Sequence, residues 1–258
     1  MSKKSIIFSI VGLIVVLLLL LGTLLFGMFS NIKLNFGFKR EYKKIVFTET
    51  YDDLNKIDID VNIGDVYFKN SSDDKIKVEI ASKEKYVDVK NNENNELTIN
   101  VKGPKCNFLC FNQKASRITV YLPKDYDKKI TVKQDLGDLK AADFKKLTLN
   151  VQNNLGDVEL KGVASLTGKL KMGDVEADNI YNYINIKNNM GDIEIKNLTL
   201  TKDSTIKDNM GDIKIKNAHN IYIDGKTNMG DVKIKKNNRK AKYVLNIHTD
   251  MGDIKVNY

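Results

Sequence analysis

Histidine and arginine are scarce in this chain of 258 residues, with two of the first, His219 and His248, and three of the second, Arg40, Arg117 and Arg239. That scarcity weighs against polysaccharide cleavage, which needs a positioned base and clustered cationic stabilisers. No nucleophile motif occurs, and no glycine-rich phosphate loop ends in Lys-Ser/Thr. We therefore read the chain as a non-enzyme that carries no cofactor. Cysteine is equally sparse. Cys106 and Cys110 stand in the irregular stretch from Gly103 to Phe111, and two thiols with no nearby His fall short of a four-ligand zinc site. A local disulfide and a pair of free buried thiols both stay open. The disulfide requires Asn107–Leu109 to turn so that the Cα atoms come within about 7 Å.

An excess of basic charge is present but confined. The formal net charge is +9, yet residues 1–44 hold seven Lys/Arg against Glu41, which leaves 35 Lys/Arg and 32 Asp/Glu in the remainder. A near-balanced domain lacks the basic footprint that nucleic-acid binding requires. The juxtamembrane cations suit anionic headgroups or a solvated linker. Before them, Ile6 to Phe29 carries no charge. As a helix of about 36 Å it would cross the roughly 30 Å hydrocarbon layer. The run is longer than a signal-peptide core and lacks a small-x-small cleavage site, so we read a retained single span. Cation counting alone would put Lys33, Lys39, Arg40, Lys43 and Lys44 in the cytoplasm. The short tail with Lys3 and Lys4 has the form of a signal anchor, and we expect the C-terminal domain outside the cell membrane.

The second half of the chain repeats one phrase. Gly-Asp recurs with its glycine at 137, 156, 173, 191, 211, 230 and 252, spaced by 19, 17, 18, 20, 19 and 22 residues, and an early copy stands at Gly64-Asp65. Periods of this length signal stacked repeats. Each Asp is followed by an alternation such as Ile213-Lys214-Ile215-Lys216, the period of a strand with one buried face. Strict alternation would set Met210 on the opposite face from Ile213. A glycine corner would reverse the parity and let both face one core. The repeat therefore predicts an all-β fold, a single-stranded parallel β-helix (β-solenoid), right-handed by the general twist preference.

The domain plan that follows is a cytoplasmic tail (1–5), a transmembrane helix (6–29), a basic linker (30–44), irregular β coils or a cap (45–125) and a regular solenoid (126–258). A cap is needed because an open solenoid end exposes unpaired backbone groups. The chain stops at Tyr258, straight after the final strand, which leaves that end as an expected self-associating edge.

In-register coils would line up Asp138, Asp157, Asp174, Asp192, Asp212, Asp231 and Asp253 in a carboxylate row. Such a row is relieved by hydrogen bonds to turn amides or bridged by a cation such as Ca²⁺. We expect turn capping, and hold the calcium row as the lesser reading. The outward lysines, among them Lys214, Lys216, Lys233 and Lys235, serve solubility or engage an anionic wall polymer.

The Ile59–Phe68 opening with its Gly-Asp, the segment Ile118-Thr119-Val120-Tyr121-Leu122-Pro123 and the serial Gly-Asp-Val/Ile turns resemble the bacterial putative-adhesin solenoids, among them the LiaG-like membrane-anchored proteins. The resemblance covers residues 45–258. It implies a parallel β-helix held outside the membrane, at times in envelope-stress operons, and it carries over no catalytic residue. The partners it suggests are the membrane through one span, a cell-wall polymer, a host surface or an envelope-stress protein. The function expected is an adhesion or interaction surface, or else an accessory of an envelope-stress system.

Overall fold

In the computed structural model the structure describes residues 42–103 and 114–258. The expected span at 6–29 and both cysteines, Cys106 and Cys110, lie outside the described residues. Among the described residues no helix is long and apolar enough to cross a membrane.

Alternating apolar residues make strands throughout. In chain order these are β1 (Ile45–Tyr51), β2 (Lys56–Asn70), β3 (Ile76–Ala81), β4 (Val87–Asn91), β5 (Glu96–Val101), β6 (Ser116–Leu122), β7 (Lys129–Leu136), β8 (Leu139–Leu155) and β9 (Val158–Met172). They continue as β10 (Val175–Lys187), β11 (Ile193–Thr199), β12 (Ser204–Met210), β13 (Ile213–His219), β14 (Ile221–Met229), β15 (Val232–Ile234), β16 (Tyr243–Met251) and β17 (Ile254–Asn257).

From β7 onward every pairing is parallel, and equivalent repeat positions face each other: Leu139↔Val158, Val175↔Val158, Val175↔Ile193, Ile193↔Ile213 and Ile213↔Ile254. This is an all-β stack of coils, as the repeat predicts. Inward positions fill one continuous apolar core that includes Phe144, Val163, Ile180, Leu198, Ile195, Ile215 and Ile247, all essentially inaccessible. Burying an Ile or Leu contributes about 1.5–3 kcal/mol, so stacking rather than any single coil sustains the fold.

The order of coils in space departs from their order in the chain at both ends. β2 lies inside, with β7 and β8 on one side (Ile59↔Val132, Val66↔Leu139) and β5 and β6 on the other (Ile59↔Ile99, Val66↔Ile118). Strands β3 and β4 then run antiparallel to β6 and β5, and β1 antiparallel to β3. Among the described residues of the 45–125 region, β2 and the β5–β6 pair form parallel coils, and β3, β4 and β1 form an antiparallel cover.

At the far end β16 and β17 are inserted between earlier strands, β16 between β12 and β14, β17 between β13 and β15. The expected edge at the chain's last strand is therefore corrected: the outermost rung is β14 and β15. That edge is covered over Ile221–Ile223 of β14, while β15 stays largely exposed. The Asn237 side chain accepts from the Ile223 amide (3.0 Å) and donates to the Ile223 carbonyl (2.7 Å), acting as a surrogate strand. The Tyr258 hydroxyl donates to the Ile221 carbonyl at 2.8 Å. Lys233, Lys235, Lys236, Arg239, Lys240 and Lys242 crowd this end with like charge, a deterrent to edge-to-edge pairing.

Candidate functional site

Five stacked columns run along the coils, four of them at the Gly-Asp corner and one at a second corner. The glycine column comes first. Gly137, Gly156, Gly173, Gly191, Gly211, Gly230 and Gly252 have φ between 132° and 155°, where a side chain is strained. Space forbids one as well: a Cβ on Gly191 would stand 2.2 Å from the Gly173 carbonyl oxygen. Gly64 keeps an ordinary φ, but there too a Cβ would meet the Ser116 carbonyl at 2.7 Å.

Next stands the aspartate column. Each Asp amide donates to the Oδ1 of the Asp one rung away: Asp138 to Asp65, Asp157 to Asp138, Asp174 to Asp157, Asp192 to Asp174, Asp212 to Asp192, Asp253 to Asp212 and Asp231 to Asp253, all at 2.8–3.0 Å. The carboxylates accept amide bonds between coils rather than within one turn. Some remaining charge is met by lysine, Lys233 on Asp231 (3.0 Å) and Lys255 on Asp253 (2.8 Å). Among the described residues no group of three or more His, Cys, Asp or Glu is arranged to hold a metal ion.

Inside the corner lies a polar column that the repeat pattern did not announce. Gln134, Asn153 and Asn188 are buried, and their side-chain amides donate to the carbonyls of Gly64, Gly137 and Gly173, at 2.9, 3.0 and 3.5 Å. Thr249 and Thr227 donate likewise to the Gly211 and Gly252 carbonyls, at 3.4 and 3.0 Å. Asp208 occupies this column between Asn188 and Thr249. It is 1% exposed, and neither carboxyl oxygen has a hydrogen-bond partner of good geometry, the nearby Asn209 and Met210 amides being poorly aligned with it. Burial pushes its pKa up to about 6, helped by the Asp192 and Asp250 charges, while the Asn209 and Met210 amides pull weakly the other way. The readable signal is a polar residue three positions before most of the glycines, as in Gln134 or Asn153; Val61 before Gly64 and Leu170 before Gly173 are the apolar exceptions, and Leu170 interrupts the column between Asn153 and Asn188.

On the outside stands an apolar column, which corrects the expectation that the residue before each glycine joins the core. Leu155, Met172, Met190, Met210, Met251 and Met229 are 36–61% exposed. The inward place two residues earlier is already filled, by the polar column or, before Met172, by Leu170, and the turn at glycine faces the Leu/Met side chain outward. The fifth column is a second corner six residues after the glycine. There Asp143, Gly162, Asn179, Asn197, Asn217 and Lys236 all adopt φ of 53–67°. Asx residues accept this left-handed conformation, and Asn217 and Asn197 add side-chain bonds to Asn197 and Asp178 on the next rung.

The outward strand faces carry charge in segregated blocks. Glu159, Glu176 and Glu194 stack one rung apart, followed in the same column by Lys214, Lys255 and Lys233. Lys196 and Lys216 stack in the neighbouring column, and both reach Glu194, at 3.3 and 2.8 Å. Near the cover, an open concavity of about 1160 Å³ is lined by Lys43, Lys44, Lys69, Lys114 and Arg117, with Glu79 and the rings of Tyr42 and Tyr121. Glu79 is engaged by Lys77 at 2.6 Å. The two histidines are not brought together: His219 ends β13, whereas His248 lies mid-strand in β16 and meets Asp250 at 3.1 Å.

A family model described as Toastrack DUF4097 matches residues 54–258. Among solved structures, a protein of Clostridium sporogenes described as a putative cell adhesion protein is 14% identical over 83% of this chain and 99% of its own, with a TM-score of 0.42. A putative adhesin of Bacteroides fragilis is 17% identical over 84% and 99%, also at 0.42. A protein of Parabacteroides distasonis described as a putative lipid binding protein is 16% identical over 82% and 96%, at 0.40. No curated protein matches the chain.

Proposed function

We propose that this chain, which belongs to the Toastrack DUF4097 family, is a membrane-anchored extracytoplasmic solenoid that presents an interaction surface to an anionic polymer of the bacterial cell envelope. Residues 6–29 serve as the single span in this reading, residues 30–44 as the basic linker, and the coils wind right-handed, the sense that strand twist favours. The observation that carries it is the register that stacks Lys214, Lys255 and Lys233 one rung apart. Strand stacking sets that spacing at about 4.8 Å, and a row of cations at fixed spacing engages a repeating polyanion at several points at once. The pairs these lysines make with Asp212, Asp253 and Asp231 are partly to fully exposed. Exposed pairs contribute little and yield readily to a competing anion. The cationic concavity beside the cover adds a second anion-attracting patch on the same domain.

The test is retention on purified cell envelope across a salt series. The parent protein binds at low salt and is released as salt rises, whereas a Lys214→Glu, Lys233→Glu, Lys255→Glu variant is not retained. Equal retention of the two would overturn the polyanion reading. Labelling of engineered surface cysteines by an impermeant reagent on intact cells tests the side of the membrane, and an unlabelled domain would place it in the cytoplasm.

A further inference from the structure

Five of the chain's seven methionines stand in the outward corner column. Met190 pairs with Met210, Met210 with Met251, and Met251 with Met229, each one rung from the next. Met172 extends the row, since the Gly173 amide donates to the Met190 carbonyl. Their exposure rules out tight packing as the reason for methionine. Leu155 fills the same column one rung before Met172, so an aliphatic side chain fits the corner equally well. Strand propensity favours β-branched and aromatic residues over methionine. What the five share is the thioether, a soft and polarizable donor on a flexible stem.

We propose that Met190, Met210 and Met251, on three successive rungs, form a site for a soft monovalent cation of the Cu(I) class. Thioethers select Cu(I) over harder divalent ions. The outer two Cα atoms are separated by two rungs, about 10 Å, and flexible side chains from both sides can converge over the middle one. Thioethers are neutral, so the charge of the cation has to be balanced from nearby. Asp192, Asp212 and Asp253 stand two residues beyond the three methionines and run parallel to them, Asp212 and Asp253 sharing their charge with Lys214 and Lys255. The column contains no imidazole or thiolate, which would draw zinc or Cu(II) instead. The site lies at the corner, apart from the lysine face, and stands or falls independently of the polyanion reading.

The experiment uses the full chain with Cys106→Ser and Cys110→Ser, so that thiolates do not bind first. Cu(I) is supplied without oxygen, in competition with a chromophoric Cu(I) chelator, and Ag(I) is titrated while methionine methyl resonances are followed. We expect the protein to withdraw Cu(I) from the chelator, and Met190→Leu, Met210→Leu, Met251→Leu to weaken uptake at least tenfold. Methyl shifts should fall on Met190, Met210 and Met251 and spare Met1 and Met28. Absence of uptake, equal uptake by the leucine variant, or shifts confined to Met1 and Met28 overturns the proposal. Should the leucine variant fail to fold, the methyl shifts of the parent decide alone.

Discussion

Replacing Asp208 by asparagine should stabilise the solenoid, and only above a definite pH. Asp208 sits where Asn153 and Asn188 donate to glycine carbonyls, yet an ionised carboxylate has no proton to give. Its pKa is raised from 3.8 to about 6, which corresponds to about 3 kcal/mol against the charged form. The folded chain therefore holds this proton more tightly than the unfolded chain. The stability that this proton supplies is fully present below about pH 4 and is lost as pH rises through about 6. An asparagine side chain would restore a donor to the column and remove the buried charge. Urea denaturation at pH 8 and pH 4.5 is the assay. At pH 8 the Asp208→Asn variant should gain about 3 kcal/mol, a midpoint shift of roughly 1 M urea for a domain of this size. Near pH 4.5 the gain should shrink severalfold. Equal midpoints at pH 8, or a gain that does not change with pH, would refute the assignment of Asp208 as a buried, unpartnered acid.

Other expectations follow from the same geometry. Gly191→Ala forces a Cβ onto the Gly173 carbonyl at 2.2 Å and should destabilise by roughly 3 kcal/mol or more. Gly168→Ala, whose nearest contact would be 3.7 Å from Ile186, should be neutral or stabilising by up to about 1 kcal/mol; thermal melts of the pair separate the two cases. Ile195→Ala empties a fully buried core position and should lose about 2–5 kcal/mol in chemical denaturation. Asn237→Ala uncovers the backbone of Ile223. It should raise concentration-dependent association, read by light scattering, and an unchanged monomer at high concentration would contradict its role as an edge cover.

Much of the architecture is legible in the sequence because it repeats. The Gly-Asp phrase recurs at nearly constant period, and alternation such as Ile193-Glu194-Ile195 tells which side chains enter the core, so coils, parallel stacking and an aspartate row follow from local chemistry alone. Local chemistry does not report what lies one rung away. Whether Met210 faces in or out depends on Asp208 already filling the inward place, and the acceptor of each aspartate amide belongs to another coil. The insertion of Tyr243–Asn257 between two earlier rungs is likewise a decision of the assembled stack. All corner sequences are nearly alike, so pattern cannot rank them as neighbours. Only the cover at each end, with β3 and β4 at one and Asn237 with Tyr258 at the other, selects which rung is last, because only there does an unpaired backbone meet water.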